Sequence, residues 1–306
     1  MSNWGVVLMK EAFTSASIME STDSDDAASR IKEVAIDAGI DVVGIAPVGR
    51  WNDAAPDGHR PADILPGARS VIVLGARGPT AGAWQNSDHR FMEVNGYDFR
   101  NDLIVQIVAD YIEKEFDHYA IMAPALSVSG HQPIMAMMLA AVLAGLGTRS
   151  LAANIVLNPK YGLLYYSACI TTLELPADPM LEQDVCPHPM CVATYRKIKK
   201  TPCMAACPSD DGGCLDGEID DDGRISYSYF DRERCTTRSM NFGINSFQKA
   251  MEQIVTEDDP EKQSNMINSD FFIRSCSGVS HFRESVAQCF ECMRVCPINR
   301  PERKLK

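Results

Sequence analysis

The sequence predicts an α+β domain followed by a smaller, cysteine-rich module, and three observations lead there. Segments of helical apolar spacing are mixed with short β-branched runs joined by turn signals. Of eleven cysteines, none precedes Cys169. From about Asp178 onward the long apolar runs give way to turns, and ten of the eleven cysteines follow. The 306 residues suffice for two ordinary domains, and the 45% hydrophobic content is that of a chain with a real core. The expected division is a mobile N-terminal segment 1–26, a core 27–177 and a module 178–306.

Within the core, Ile31, Val34, Ala35 and Ala38 have helical spacing, and Gly39 suits the C′ position that ends a helix. Asp41–Ala46 and Ser70–Leu74 read as buried strands on either side of the turn-rich stretch from Pro56 to Gly67. Residues 98–116 carry Leu103, Ile104, Ile107, Val108, Tyr111 and Ile112 at helical spacing. The loop before them, 78–97, holds Trp84, His89 and Phe91 and is a candidate lid. A strand around Tyr119–Met122 precedes a small-residue helix that runs from about Pro133 into Ala144-Gly145-Leu146-Gly147. Leu151–Leu157 and Leu164–Thr172 read as strands joined by the turn Asn158-Pro159-Lys160-Tyr161-Gly162. Such hairpin connections favour α+β over a strictly alternating parallel sheet.

Charge and targeting signals narrow the function classes. A formal charge of −12 argues against a nucleic-acid partner, because phosphate binding calls for a basic face. The local exceptions are Arg196, Lys197, Lys199 and Lys200, and a tail of Arg300, Arg303, Lys304 and Lys306. They read either as solvated lysines or as a landing site for an acidic electron donor. No apolar run reaches the roughly 18 residues of a membrane span. The N-terminus has neither a basic lead nor a twin-arginine pair, so the expectation is a cytoplasmic, reducing location with metal-bound thiolates rather than disulfides.

The chemistry is written in two cysteine runs, Thr-Pro-Cys203-Met-Ala-Ala-Cys207-Pro208 and Cys289-Phe-Glu-Cys292-Met-Arg-Val-Cys296-Pro297. The second supplies C-x2-C-x3-C-P without interruption, the pattern of a ferredoxin-type module holding two 4Fe-4S clusters. In such modules the last cysteine of each run ligates the other run's cluster. One set is therefore Cys186, Cys191, Cys203 and Cys296; the other is Cys207, Cys235, Cys289 and Cys292. The rival is a zinc site such as Cys186, Cys191, Cys203 and Cys207, which leaves the second run unexplained. Cys191 and Cys203 stand further apart than the usual spacing, so His188 is an alternative ligand in that loop. Cys214 and Cys276 are spare, and Cys169 follows a strand-like run where an inert buried thiol is expected.

Two other patterns fail. Glu218–Tyr229 looks like a calcium loop but ends on tyrosine instead of glutamate, and Asp222-Gly223 reads better as a hairpin turn. Gly145-Leu146-Gly147 lacks the third glycine of a dinucleotide fingerprint and follows a helix, which disfavours NAD.

Four ordered segments carry a family resemblance: Leu65-Pro66-Gly67-Ala68-Arg69-Ser70-Val71; Leu143–Gly147; Asn158–Gly162 with Thr171-Thr172-Leu173-Glu174-Leu175-Pro176; and the two Cys-Pro runs with Asp231-Arg232-Glu233-Arg234-Cys235 between them. The set resembles the corrinoid-dependent reductases that include epoxyqueuosine reductase and the reductive dehalogenases. That resemblance implies a nitroreductase-like core binding cobalamin near Gly145, Leu146, Gly147, Tyr161, Thr171 and Thr172, with two 4Fe-4S clusters feeding electrons to it. Epoxyqueuosine reductases usually continue into a helical tRNA-binding tail, whereas this sequence stops at Lys306 and is acidic. Where those enzymes carry an acidic proton donor, Ser127–Pro133 offers no carboxylate, so His131 is the nearest group of suitable pKa. Tyr161, Tyr165 and Tyr166 are the other candidate donors, as in the dehalogenases.

The expectation is thus a reductive dehalogenase-like oxidoreductase acting on a small organic molecule, supplied by a reduced ferredoxin or flavodoxin-type donor. Its competitors are a tRNA-modifying reductase, an electron-transfer protein that activates a separate corrinoid enzyme, and a binding module that has lost its cofactor.

Overall fold

Among the described residues the first helix is α1 (Ser21–Asp37), which takes in Ser21–Asp26 ahead of the start expected at Ala27. The run Ser21 to Asp26 is rich in the serine, threonine and aspartate that favour a helix N-terminus. Its other end is as expected. Gly39 has φ 107°, with Gly39 N–H bonded to the Ile36 carbonyl and Ile40 N–H to the Ala35 carbonyl, the paired bonds of a Schellman stop. The structure is a computed structural model that describes residues 21–77, 99–123, 134–152, 155–207, 213–231, 234–235, 244–273, 276 and 291–299. The candidate lid, His131, Cys289 and the basic tail fall outside these residues.

The chain divides into two compact units. One takes in residues up to Ala76, then Asp98–Gly147 and Tyr165–Gln183. Here β1 (Val42–Pro47) pairs antiparallel with β2 (Ser70–Arg77), Val43 opposite Leu74 and Ile45 opposite Ile72. Between them lie a 3-10 turn at Val48–Trp51 and a short helix α2 (Pro61–Ile64). Helix α3 (Phe99–Phe116) leads to β3 (Ala120–Met122), which pairs with residues 169–171 of the long strand β6 (Gly162–Thr171). On its other edge β6 meets β2, and helix α4 (Met137–Leu143) completes the unit.

Its core joins Ile31 and Ala35 of α1, Ile45 of β1, Ile72 and Leu74 of β2, and Ile104, Val108 and Ile112 of α3. The buried face of helix α3 is rotated from the one its sequence pattern implied. Leu103 and Ile107 are 64% and 48% exposed, while Ile104, Val105, Val108, Ala109 and Ile112 face inward.

The other unit comprises residues 77–97, 148–164 and 184–306. Strand β4 (Thr148–Arg149) pairs with β5 (Val156–Asn158), and β5 pairs with the start of β6. The strand expected over Leu151–Leu157 is reduced to its last residues. Ser150 N–H bonds to the Ile155 carbonyl and Ile155 N–H to that of Ala152, which makes this stretch a turn. The turn into β6 is as anticipated, with Asn158 Oδ1 accepting the N–H groups of Lys160 and Tyr161 and Gly162 at φ 70°.

Helices α5 (Pro189–Ile198) and α6 (Pro202–Ala205) follow, then the hairpin of β7 (Leu215–Ile219) and β8 (Ile225–Phe230), turning at Gly223 with φ 81°. Helices α7 (Ile244–Thr256) and α8 (Pro260–Ile267) lie where the sequence predicts only turns, and the short α9 (Glu291–Val295) carries Cys292 of the last cysteine run. No helix among the described residues is long and apolar enough to cross a membrane.

Candidate functional site

Cys186, Cys191, Cys203 and Cys296 line one cavity, with Pro202 and Pro297 beside them. All four are buried. Local structure explains how distant residues come to one place. Val185 N–H donates to Thr148 Oγ1 at 2.8 Å, which fixes the segment leading into Cys186. Cys191 sits in the first turn of α5, where His188 is the N-cap and its Nδ1 accepts the Met190 N–H at 3.2 Å. The imidazole considered as an alternative ligand is therefore engaged in capping the helix. Thr201 caps α6 and stands 3.1 Å from Cys203 Sγ through its hydroxyl. Cys296 follows α9, which packs against α6 and carries the fully buried Met293.

The electrostatics of this group are those of thiols without a counter-charge. Burial, then repulsion from Cys203 and Cys296, pushes the Cys186 thiol up to about 12 and that of Cys191 to about 11. Burial also raises Cys203. A cation entering among them would favour the thiolate forms of Cys186, Cys191 and Cys203, which burial disfavours, and soft sulfur donors select a thiophilic metal.

Among the described residues no three His, Cys, Asp or Glu side chains converge on a single ion. A zinc tetrahedron with Zn–S bonds of about 2.3 Å holds its sulfurs roughly 3.8 Å apart. Four cysteines lining one cavity could offer one thiolate to each corner of a four-iron cluster, should one bind there. The cavity also takes Cys296 from the second run and not Cys207, the member required by the rival zinc set.

Cys207 lies in a different group. Its Sγ is 3.2 Å from that of Cys214, and Cys214 also shares a side-chain hydrogen bond with Cys235. That bond with Cys235 and then burial raise the Cys214 thiol far above its ordinary value. Cys292 is half-buried on α9. Cys169 is fully buried in the first unit's core, where burial pushes it up to about 12. The basic run Arg196 to Lys200 is exposed at the C-terminal end of α5, with Lys199 in the left-handed region at φ 55°.

The residues that the resemblance assigned to a corrinoid are placed as follows. Gly145 and Leu146 form the Schellman stop of α4, Gly145 at φ 72° and Leu146 N–H bonded to the Ala141 carbonyl. A Cβ at Gly145 would meet the Pro179 carbonyl, so this glycine is required by close backbone packing. Leu146 and Gly147 are buried. Thr171 Oγ1 donates to the Tyr119 carbonyl at 2.8 Å, and Thr172 Oγ1 accepts the Tyr119 N–H at 3.1 Å and lies 3.1 Å from His118 Nδ1. Both hydroxyls already serve the end of β6.

Tyr161 lies between Lys160 and the Arg77 guanidinium, 4.7 and 5.6 Å from its ring centre. Tyr165 is half-buried on β6, and its carbonyl accepts from Asn101 Nδ2 at 3.4 Å. Its neighbour Tyr166 is buried, its hydroxyl has no partner among the described residues, and burial raises its pKa. An orphaned buried donor of this kind fits a site that receives a polar ligand.

The architecture defines a fold first: a mixed α+β fold shared with solved epoxyqueuosine reductases and reductive dehalogenases. In particular, the chain is similar to epoxyqueuosine reductase from Bacillus subtilis, at 15% identity over 90% of this chain and 66% of that one, with a TM-score of 0.51. It is likewise similar to a catabolic reductive dehalogenase, at 17% identity over 93% of this chain and 34% of that one, TM-score 0.55. A reductive dehalogenase described as performing B12-dependent dehalogenation matches at 16% identity over 94% and 40%, TM-score 0.53. The chain thus spans 66% of the length of the epoxyqueuosine reductase and less of the dehalogenases. No protein-family model and no curated protein sequence matches it. At these identities the likeness establishes a common fold.

Proposed function

We propose that the protein is a cobalamin-dependent iron–sulfur oxidoreductase, most like a reductive dehalogenase, that reduces a small organic molecule. The observation that carries this reading is the gathering of Cys186, Cys191, Cys203 and Cys296 around one cavity. Cys207, Cys235, Cys289 and Cys292 are proposed to hold the second cluster. When bound, the clusters relay single electrons and the corrinoid supplies the reducing centre.

The chain's own part is to hold, shield and donate. Burial of the four cysteines keeps water from the first cluster, and Pro202 and Pro297 stiffen the backbone beside it. Gly145, Leu146, Gly147, Tyr161, Thr171 and Thr172 are proposed to border the corrinoid. His131, Tyr161 and Tyr165 are the proposed proton donors, with Tyr166, whose buried hydroxyl has no partner among the described residues, as a further candidate. The electron donor is a reduced ferredoxin or flavodoxin-type protein in the cytoplasm.

Anaerobic purification with iron analysis and visible spectra, with and without added cobalamin, tests the reading. About eight irons per chain are expected from two four-iron clusters. Stoichiometric zinc with negligible iron would overturn the cluster assignment. Full iron without cobalamin uptake would move the function to electron transfer toward a separate corrinoid enzyme, and salt-sensitive tRNA binding would move it to tRNA modification.

A further inference from the structure

The contact between Cys207 and Cys214 is one that ligation of a common cluster does not explain. Their sulfurs are 3.2 Å apart, and the Cys214 N–H donates to Cys207 Sγ at 3.1 Å. Several features build this contact. The Cys214 carbonyl accepts the Asp231 N–H at 2.8 Å, and Cys235 N–H bonds in turn to the Asp231 carbonyl at 3.1 Å. Gly213 permits the approach, since at φ 90° a Cβ there would stand 3.2 Å from both Cβ and Sγ of Cys207. The first cysteine set surrounds a cavity, whereas these two thiols touch.

We propose that Cys207 and Cys214 are a reversible disulfide pair that withholds Cys207 from the second cluster when the thiols are oxidised. A disulfide needs sulfurs about 2.05 Å apart, so closure requires a movement of roughly 1 Å. Cys207 is half-buried and Cys214 is 8% exposed, so an oxidant reaches Cys207 first. The Cys207 thiol attacks a small-molecule disulfide such as oxidised glutathione, forming a mixed disulfide and releasing one glutathione thiol. The Cys214 sulfur then attacks that of Cys207 and expels the second glutathione, which leaves with the Cys214 proton. Two cysteine thiols and one oxidised glutathione become one intramolecular disulfide and two glutathione thiols. The consequence for metal loading rests on the cluster reading; the disulfide itself does not.

The test starts from the full chain freed of iron, equilibrated with oxidised glutathione, alkylated and cut with trypsin. Cys203, Cys207 and Cys214 fall on one peptide, Thr201–Arg224. The expected product carries a single alkyl group, on Cys203, and fragments as a Cys207–Cys214 link. A peptide alkylated at all three cysteines, or a Cys203–Cys207 link, overturns the proposal. In a second arm, oxidised wild-type protein is expected to take up about half the iron of the reduced protein, because only one of two equal clusters can form. Cys214→Ser, or Cys214→Ala if the serine variant fails to fold, lacks the resolving thiol, so the same treatment should leave Cys207 as its mixed disulfide with glutathione; Cys207 recovered with an alkyl group in this variant overturns the order of attack. Equal uptake by oxidised and reduced wild type overturns the withholding role. Reduced protein that takes no iron would instead sink the proposed function, with the mass spectrum still deciding the disulfide.

Discussion

Asn299 Oδ1 accepts the Leu163 N–H at 3.1 Å while Nδ2 of the same side chain donates to the Met293 carbonyl at 3.4 Å. This amide ties the residues just after Cys296-Pro297 to the start of β6. It is 2% exposed, so neither backbone group has water as a substitute. Gly162 has to be glycine for the same reason, since a Cβ there would lie 2.9 Å from both Cα and Oδ1 of Asn299. Asn299→Ala is expected to cost about 1–3 kcal/mol by leaving a buried N–H and carbonyl unpaired. Urea denaturation of the second unit's signal would measure it, and an unchanged midpoint would show that the amide is dispensable.

Asp178 is the corresponding clip in the first unit. Its Oδ2 accepts the Ile45 N–H at 2.7 Å, its Oδ1 lies 2.7 Å from Lys32 Nζ, and its carbonyl accepts from Arg50 Nη1 at 2.9 Å. Arg50 also donates to the Leu143 carbonyl, so α1, β1, α4 and the segment after β6 meet at this residue. Asp178→Ala is expected to destabilise by about 1.5–3 kcal/mol, as for a hydrogen bond to a charged group. Asp178→Asn keeps the shape and one acceptor and should cost less. If both variants lose the same amount, the charge contributes nothing.

These clips show what was legible in the sequence and what was not. The stop of α1 at Gly39, the strand character of β1 and β2 and the Asn158 turn depend on local residue chemistry, and each is readable from a few neighbours. The exposure of Leu103 and Ile107 depends on which side of α3 meets the sheet, which spacing alone leaves open. Helix α7 carries its signal in Phe247, Ala250 and Ile254, but without long apolar runs this stretch reads as part of a turn-rich module. The crossover rule for paired runs leads to the expectation that Cys296 stands with Cys203, and the two line one cavity with Cys186 and Cys191. The Cys214 contact does not follow from that rule, because it arises from the φ of Gly213 and the β7–β8 hairpin and not from a recognised cysteine spacing.

Cys169 separates a structural thiol from the proposed ligands. It is fully buried, packed in the first unit's core, and burial pushes it up to about 12. Native protein treated with iodoacetamide near neutral pH should leave Cys169 unmodified, with labelling only after unfolding. Cys169→Ala should retain the wild-type iron content. Rapid native labelling at Cys169 would mean that the core opens there.

His118 gives the stability a defined pH dependence. Its Nδ1 lies 3.1 Å from Thr172 Oγ1 at the junction of α3 and β6, and burial lowers its pKa below the ordinary 6.5 against the opposing pull of Asp117. The folded protein therefore binds this proton less tightly than the unfolded chain. The stabilisation of the neutral ring is fully present above the unfolded value of about 6.5 and is lost as pH falls from there toward the lower folded value. His118→Gln removes the titration while keeping a polar group that can reach Thr172. Between about pH 7.5 and about pH 5.5 the urea midpoint of wild type should fall further than that of the variant. Parallel decline of the two would assign the acid sensitivity to other groups.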